Sequence, residues 1–185
     1  MKTPYNEGKA IAAATYLLQL SNGQCDKYWL NKVLYYIERQ SLIETGQPMF
    51  FDDLYAIKFG PILSKIKDSI DETVDDDPFY NWSPYITLTD ERTVSLVKNG
   101  EYDLLSDYEI NLIKKTYKIF KDKNFEQVKN FIHSLPEHKE VKKGSIPISY
   151  EEILSKSKMF SDAQVQEIIK EINYYIALKD LVISA

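Results

Sequence analysis

The sequence predicts an α+β fold that is mainly α: a helical domain of about six to seven helices with a small antiparallel β-hairpin or sheet. Three observations indicate this class. Apolar residues recur at helical spacing along most of the chain. Three C-terminal segments begin with the spacing of a capping box. Two short segments of alternating apolar and polar residues flank a three-residue turn. The length of 185 residues fits a single domain spanning residues 1–185.

The N-terminal part of the chain predicts a helical hairpin. The first helix is capped by Asn6 and ends near residues 21–23, which read Ser-Asn-Gly. The second helix runs from about Asp26 to Glu44 and stops before Gly46. Each of the two helices has one apolar face, so we expect the faces to pack together.

Residues 47–66, QPMFFDDLYAIKFGPILSKI, combine aromatic and acidic side chains before Phe-Gly-Pro. Pro48 and the aromatics disfavour helix and predict a short strand over residues 49–51. Asp52 or Asp53 is then predicted to cap a brief turn.

The end of this segment predicts the start of a helix. Proline is favoured at the first helical position, and the residue before it is pushed out of the helical region. We therefore expect Gly60 to let the chain pass into a helix that begins at Pro61 and continues to Asp71.

The rest of the chain predicts one hairpin followed by helices. Residues 74–84 carry acids, prolines and turn formers and predict a loop. Residues 85–89 and 93–97 alternate and predict the hairpin. Ser106, Ser149 and Ser161 have capping-box spacing to Glu109, Glu152 and Gln164. The helices that follow are expected at about 107–122, 125–134, 150–156 and 162–180, with a long connector over 135–148.

Composition narrows the functional classes. The net charge of −5 and pI of about 5.2 disfavour binding of a nucleic acid backbone over the whole surface. One cysteine, Cys25, excludes an internal disulfide and suits a reducing compartment. No apolar run reaches the length of a membrane span and no secretory cleavage site is evident, so we expect a cytoplasmic protein without membrane contact.

The residues that carry chemistry form no recognisable catalytic or metal pattern. His133 and His138 are separated by Pro136, and Cys25 is remote in sequence, so no zinc site is expected. A position near a helix start could lower the pKa of Cys25, although a half-buried structural role is favoured. No GxSxG or glycine-rich phosphate motif occurs. We therefore expect no enzyme activity and no cofactor. The acidic residues and a Glu-x-Lys at residues 140–142 leave a metal-dependent nuclease as a less favoured alternative.

Two features bear on binding. Lys114, Lys118 and Lys121 could contact nucleic acid but are better explained as the solvent-exposed face of an amphipathic helix. Direct DNA binding is therefore disfavoured. The 14 tyrosines are compatible with either a binding surface or a half-buried core. A bias in codon usage explains them equally well. A homo-oligomer is compatible with the sequence.

Two blocks resemble the SocA-like Panacea antitoxin domain. The first is LNKVLYY at 30–36 followed by ETGQP at 44–48 and DLYAIKFGPI at 53–62. It resembles an L-x-K-L-L-Y helix, a T-G-x-P turn and an A-x-x-[YF]-G-P segment. The second is HSLPE at 133–137 followed by GSIPISYEEIL at 144–154. The resemblance spans roughly Lys9 to Ile172. Val33 stands where the family often has Leu, and His138 where it often has Trp.

The resemblance implies a non-enzymatic antitoxin that neutralises a cognate protein toxin by direct binding. Members are encoded beside varied toxins, and one branch acts as a proteolytic adaptor. The alternatives are therefore an adaptor that engages a protease, or a phage-encoded regulator that binds a host protein. The acidic net charge would speed association with a basic toxin.

The motif residues are the candidates for toxin contact. Tyr35, Tyr36, Tyr55 and Phe59 are candidate aromatic anchors, and Lys58 and Asp53 could set the register of the complex. Gly60, Pro61 and His133 complete the family motifs. Core packing is the competing explanation for most of them, because family-wide motifs often encode the fold. On the contact interpretation, Tyr36→Ala and Lys58→Glu would leave the melting temperature nearly unchanged.

Overall fold

The computed structural model describes residues 5–71 and 82–183. These residues form seven α-helices, a 3-10 turn at Tyr102–Leu104 and six short strands. The helices are α1 Glu7–Leu20, α2 Lys27–Thr45, α3 Ser64–Asp71, α4 Asp107–Phe120, α5 Phe125–His133, α6 Tyr150–Ser157 and α7 Asp162–Ile183. The strands are β1 Gln24–Asp26, β2 Leu54–Ile57, β3 Gly60–Leu63, β4 Ile86–Leu88, β5 Thr93–Leu96 and β6 Ile146–Ile148. The expected mainly helical α+β class is confirmed, with two antiparallel sheets of three strands each.

Helix α2 is the central element of the fold. It packs against α1, α4, α5 and α6. Its start is capped by Asp26, whose side chain accepts hydrogen bonds from the backbone N–H groups of Tyr28 and Trp29. Gly46 ends it in the left-handed conformation, at φ 73°. The predicted helical hairpin of α1 and α2 is confirmed.

The first sheet contains the predicted hairpin and one further strand. Strands β4 and β5 pair as expected, and β1 pairs with the other side of β5. The sequence predicted a helix from about Asp26 and indicated no strand at residues 24–26. A three-residue strand is too short to display alternation, so its partner alone reveals it.

The second sheet corrects the prediction that Pro61 begins a helix. Gly60 and Pro61 lie in β3, which pairs with β2 so that Ile57 faces Gly60 and Ala56 faces Pro61. Helix α3 begins only at Ser64. The sheet order is β3-β2-β6, so β3 is an edge strand, where a residue without an N–H group is tolerated.

Two further expectations for this region were wrong. Residues 49–51 are not a strand, because their backbone N–H groups bind the side chain of Glu38. Asp52 does not cap a turn before β2. It caps α3 instead, accepting from the N–H groups of Lys65 at 3.0 Å and Ile66 at 2.9 Å. The connector after α5 also contains a strand, β6, which pairs with β2.

The predicted caps of the C-terminal helices are confirmed. Ser106 and Glu109 form a complete capping box, and Ser149 accepts from Glu152 N–H at 3.0 Å. Ser161 N–H donates to the Gln164 side chain at 2.9 Å. The predicted loop over 74–84 falls largely on residues 72–81, which lie outside the described residues.

Candidate functional site

A row of buried polar side chains runs along α2. Lys32, Tyr35, Glu38 and Arg39 are each between 0% and 8% exposed. Burying such groups is costly unless each finds a hydrogen-bonding partner. Together they reach three distant segments, since Tyr35 and Arg39 bind the same residue. This row, called here the α2 polar row, therefore connects the fold around one helix.

Lys32 holds the end of the β2–β3 turn. Its Nζ donates to the carbonyl oxygens of Gly60 at 2.9 Å and Pro61 at 2.7 Å. The ammonium group also lies 5.1 Å from the ring centroid of Tyr28. Burial, with a smaller contribution from nearby Lys67, lowers the pKa of Lys32 to about 7. The lysine of the first family-like block thus fixes the backbone of the Gly-Pro pair.

Tyr35 and Arg39 hold the connector that follows α5. The Tyr35 hydroxyl donates to Oε1 of Glu137 at 3.0 Å, and Arg39 Nε donates to the same oxygen at 2.7 Å. Glu137 is completely buried. Burial and the neighbouring carboxylate raise the pKa of Tyr35. Tyr35 of the first family-like block and Glu137 of the second therefore contact each other in the core.

Glu38 organises the irregular chain before β2. Its Oε2 accepts from the N–H groups of Met49 and Phe50, both at 2.7 Å, and its Oε1 accepts from Phe51 N–H at 3.0 Å. The Tyr150 hydroxyl donates to Oε1 at 2.9 Å. Burial raises the pKa of Glu38 to about 7, while these donors favour the carboxylate. Phe51 adopts φ 54°, which a non-glycine residue rarely does, as the chain wraps the carboxylate.

Three of the four candidate aromatic anchors are buried or half-buried. Tyr35 is fully buried. Tyr36 is half-buried, with its ring centroid 5.5 Å from that of Phe120 and 5.3 Å from that of Phe131. Tyr55 is half-buried on β2, and Asp53 pairs with Lys65. In this fold, Tyr35 and Tyr36 contribute to the core.

The exposed part of the motif is the β2–β3 turn. Lys58 and Phe59 form its tip, and Phe59 is 44% exposed. The Phe59 ring lies 6.2 Å from the ring of Phe125, which lies 4.6 Å from that of Tyr28. The Tyr28 hydroxyl donates to the Phe59 carbonyl at 3.1 Å. These four residues, Tyr28, Lys58, Phe59 and Phe125, are called the turn face below.

Tyr28 and Phe125 were not predicted as site residues. Phe125 is the first residue of α5, directly after its cap Asn124, and it is 38% exposed. Phe125 has the i, i+3, i+7 spacing of an apolar face with Val128 and Ile132, which predicts core packing rather than an exposed site residue. Nothing in the sequence around Tyr28 indicated a surface role, because that role depends on how α2 and the hairpin pack.

His133 lies beneath the turn rather than on its surface. A Cβ atom at Gly60 would stand 3.1 Å from Cδ2 of His133. The His133 ring stacks on that of His138, with centroids 4.1 Å apart and planes 20° apart. Burial, then the neighbouring His138, lowers the pKa of His133. Nearly parallel rings direct their in-plane lone pairs past each other, so the pair cannot ligate one ion together.

Two cavities beside the turn face have Tyr28 in their lining, and a third, of about 660 Å³, is lined by Lys58, His133 and His138 among others. One of about 440 Å³ includes Cys25, Tyr28 and Phe125 in its lining. Burial, then the charge of Asp26, raises the pKa of the Cys25 thiol, which disfavours the activated thiolate considered from the sequence. The second, of about 180 Å³, lies between α2, the hairpin and α3.

Residues 5–71 and 82–183 contain no group of three or more His, Cys, Asp or Glu side chains placed to hold a metal ion. Within the same ranges, no helix combines the length and apolar character needed to cross a membrane.

Comparison with known proteins gives one match. The family model described as "Antitoxin SocA-like, Panacea domain" matches residues 30–139, which is more than half of the 185 residues. No curated protein and no solved structure matches significantly. The matched range contains the α2 polar row, the β2–β3 hairpin and Glu137, whereas the second part of the family-like pattern, at 144–154, lies beyond it. The chain therefore belongs to the SocA-like Panacea antitoxin domain family.

Proposed function

We propose that this protein is the antitoxin of a toxin–antitoxin system and neutralises a cognate protein toxin by direct binding, without catalysing a reaction. Membership of the antitoxin family carries this proposal. The alternatives, a proteolytic adaptor and a regulator of a host protein, share the need for a protein-binding surface.

We assign the toxin contact to the turn face. Phe59 and Phe125 are exposed by 44% and 38%, so two large aromatic side chains stand in solvent side by side. Binding energy at protein interfaces concentrates in such aromatic anchors. Lys58 stands next to them, with its Nζ 5.3 Å from the Phe59 ring centroid, and could orient an acidic residue of the toxin.

The backbone of the turn is fixed before any partner arrives. Lys32 binds two consecutive carbonyls at Gly60 and Pro61, and Tyr28 binds the carbonyl of Phe59. A preorganised anchor loses little conformational entropy on binding, which favours affinity. The buried motif residues then have a role in function, because they position an exposed turn.

Growth rescue tests the proposal. The gene adjacent to this one is expressed alone and together with this protein, and the two proteins are then co-purified through a tag on one of them. We expect the neighbour to arrest growth alone, to be harmless in the pair and to co-purify. A toxic neighbour that this protein neither rescues nor binds would refute the proposal.

The same experiment separates neutralisation by binding from the adaptor alternative. Toxin abundance is measured in cells with and without their ATP-dependent proteases. Direct neutralisation predicts rescue with toxin abundance unchanged in both strains. Rescue that requires the proteases, with falling toxin abundance, would support the adaptor.

A further inference from the structure

The third cavity lies between the β2–β3 turn and the connector after α5. Its volume is about 660 Å³. Lys58 lines it from the turn and Lys142 from the connector, and the stacked rings of His133 and His138 form part of its wall. Lys58 also belongs to the turn face. A protein bound to the turn face would therefore lie against this cavity too, which is called here the lysine cleft.

The two lysines of the cleft are exposed and have no counter-charge. Both Lys58 and Lys142 are exposed, and neither forms an ion pair with a carboxylate of residues 5–71 and 82–183. Nζ of Lys58 lies 5.3 Å from the Phe59 ring centroid, a contact that leaves its charge uncompensated. By contrast, Lys139 on the same connector is bound to Glu152 at 2.6 Å. Lys58 and Lys142 are thus available to an anion that enters the cleft.

Positive charge outweighs negative charge in the lining. Among the described residues, Glu140 is the one carboxylate in the wall of the cleft, against Lys58 and Lys142. Glu137 is close in sequence but completely buried, where it is bound to Arg39 at 2.7 Å. The chain as a whole carries a net charge of −5. A locally positive site on an acidic protein favours an anionic group of a partner.

The histidine pair can add positive charge to the same site. Histidine is the side chain that gains charge between pH 8 and pH 5. Nε2 of His133 and Nδ1 of His138 are buried without a hydrogen-bond partner among the described residues. The other nitrogen of each ring is therefore the one that can contact a group in the cleft. An anion bound there would favour the protonated form of the pair.

The charged groups around the histidine pair come from four segments. They are Lys129 on α5, Lys32 on α2, Lys58 on the turn, and Glu140 and Lys142 on the connector. Lys129 is paired with Glu126 at 3.0 Å, and Lys32 donates to two carbonyl oxygens. Of these cations, Lys58 and Lys142 can therefore bind an entering anion without giving up a partner.

We propose that the lysine cleft binds an acidic segment of the partner protein, with one carboxylate at Lys58 and another at Lys142. The histidine rings lie beneath this segment, and their protonation strengthens binding as the pH falls. The segment continues from the part of the partner that contacts Phe59 on the turn face. The inference rests on the proposed function, since it describes the region of the neutralised protein that lies beside the turn face.

Short peptides and the full chain test this inference without any toxin. The probe is acetyl-Glu-Glu-Glu-amide, added at low salt and pH 7.5 to nitrogen-15-labelled protein while NMR chemical shifts are recorded. We expect shifts at the backbone amides of residues 57–60 and 138–143, which added salt should reduce. The neutral peptide acetyl-Gln-Gln-Gln-amide should cause none of them. Inorganic phosphate should bind more weakly than the acidic peptide. Equal binding of the neutral peptide or of phosphate, or shifts that map elsewhere, would overturn the inference.

Three charge variants test the cleft from the side of the protein. Lys142→Gln should weaken binding of the acidic peptide about two- to fivefold, the range for one exposed ion pair. Glu140→Gln should strengthen it, because the opposing charge is removed. Lys114→Gln, at an exposed position on α4, is the matched control and should leave binding unchanged. Equal effects of Lys142→Gln and Lys114→Gln would mean that the peptide responds only to overall charge, and would overturn the inference.

The pH dependence of peptide binding tests the role of the histidine pair. Between pH 7.5 and pH 6 the carboxylates of the peptide stay ionised, since glutamate titrates near pH 4.3. Binding to the unaltered chain should strengthen over this range, and the increase should be smaller for His138→Gln. An affinity that does not rise, or that rises equally in the variant, would overturn the inference. Growth rescue with no peptide binding would remove the cleft inference alone. Peptide binding in the cleft without rescue would instead remove the antitoxin proposal.

Discussion

The Tyr35 hydroxyl donates a hydrogen bond of 3.0 Å to Oε1 of Glu137, a residue 102 positions further along the chain. Both side chains are completely buried. The same oxygen accepts from Arg39 at 2.7 Å, so one carboxylate joins two residues of α2 to the connector after α5. This contact joins the two family-like blocks, which are far apart in the sequence.

Glu137→Ala should destabilise the protein strongly. The change leaves Arg39, only 8% exposed, without its carboxylate, and an uncompensated buried charge costs about 3–5 kcal/mol. Urea denaturation would measure the loss. Glu140→Ala, at an exposed position three residues later, is the matched control and should change stability by less than about 0.5 kcal/mol. Similar losses for the two variants would contradict the buried ion pair.

Gly60→Ala tests the close contact between the turn and α5. Gly60 has φ 93°, and an added Cβ would stand 3.1 Å from atoms of His133 and Ile132. Gly23 has φ 90° but no atom within 4 Å of its added Cβ. Both alanine variants should be destabilised by backbone strain, by about 1–3 kcal/mol. Gly60→Ala should lose measurably more free energy of unfolding, because it also displaces α5. Equal losses of stability in the two variants would show that α5 can move away from the added methyl group without loss of stability.

Tyr36→Ala separates core packing from toxin contact. The Tyr36 ring packs edge-on against both Phe120 and Phe131. Removing a half-buried aromatic side chain from this cluster should cost about 2–3 kcal/mol, somewhat less than a fully buried one. Tyr174→Ala is the control, since Tyr174 is 67% exposed, and should cost under about 0.5 kcal/mol. A melting temperature unchanged by Tyr36→Ala would restore the surface role first considered for this residue.

The elements that depend on local chemistry could be predicted from the sequence. Ser106 and Ser149 cap their helices as expected because a cap needs only residues within one turn. The β4–β5 hairpin alternates in sequence and forms as predicted. These local signals established the fold class before any contact was known.

The misassigned elements depend on contacts that are distant in sequence. Pro61 has the local preference of a helix start, yet pairing with β2 places it in an edge strand. Glu38 is a glutamate within a helix, and nothing nearby indicates that three backbone N–H groups will surround it. The turn face likewise assembles from α2, the hairpin and α5, so Phe125 was missed.

The stability of the protein should depend on the protonation of Glu38. Its pKa is raised from 4.5 to about 7 by burial, so the folded state binds more protons than the unfolded state between these values. Its contribution is therefore fully present below about pH 4.5 and is lost as the pH rises through 7. Glu38→Gln removes this dependence, so the stability advantage of the unaltered protein over the variant should shrink from pH 5 to pH 7.

Urea denaturation of both proteins at pH 5, 6, 7 and 8 measures the difference. The slope of this stability difference against pH should not exceed about 1.4 kcal/mol per pH unit, which is the limit for the binding of one proton. Subtracting the variant removes contributions from titrating groups that do not interact with Glu38, such as His133. The contribution of Asp52 does not cancel fully, because its charge helps to raise the pKa of Glu38. An advantage that grows with pH would mean that the N–H groups of Met49, Phe50 and Phe51 stabilise the anion more than burial disfavours it.

Phe59→Ala and Lys58→Glu test the turn face as the toxin contact. Both side chains are exposed, so each change should alter the free energy of unfolding by less than about 1 kcal/mol. Each should nevertheless weaken toxin binding, by about tenfold or more for a central aromatic anchor. Growth rescue and the dissociation constant of the purified pair provide the two measurements. Ile119→Ala is the matched control, because Ile119 on α4 is 40% exposed, close to the 44% of Phe59. Two outcomes would show that the toxin binds another surface: Ile119→Ala impairs rescue as much as Phe59→Ala does, or neither turn variant impairs it. In either case the turn would carry no more binding energy than any exposed apolar side chain.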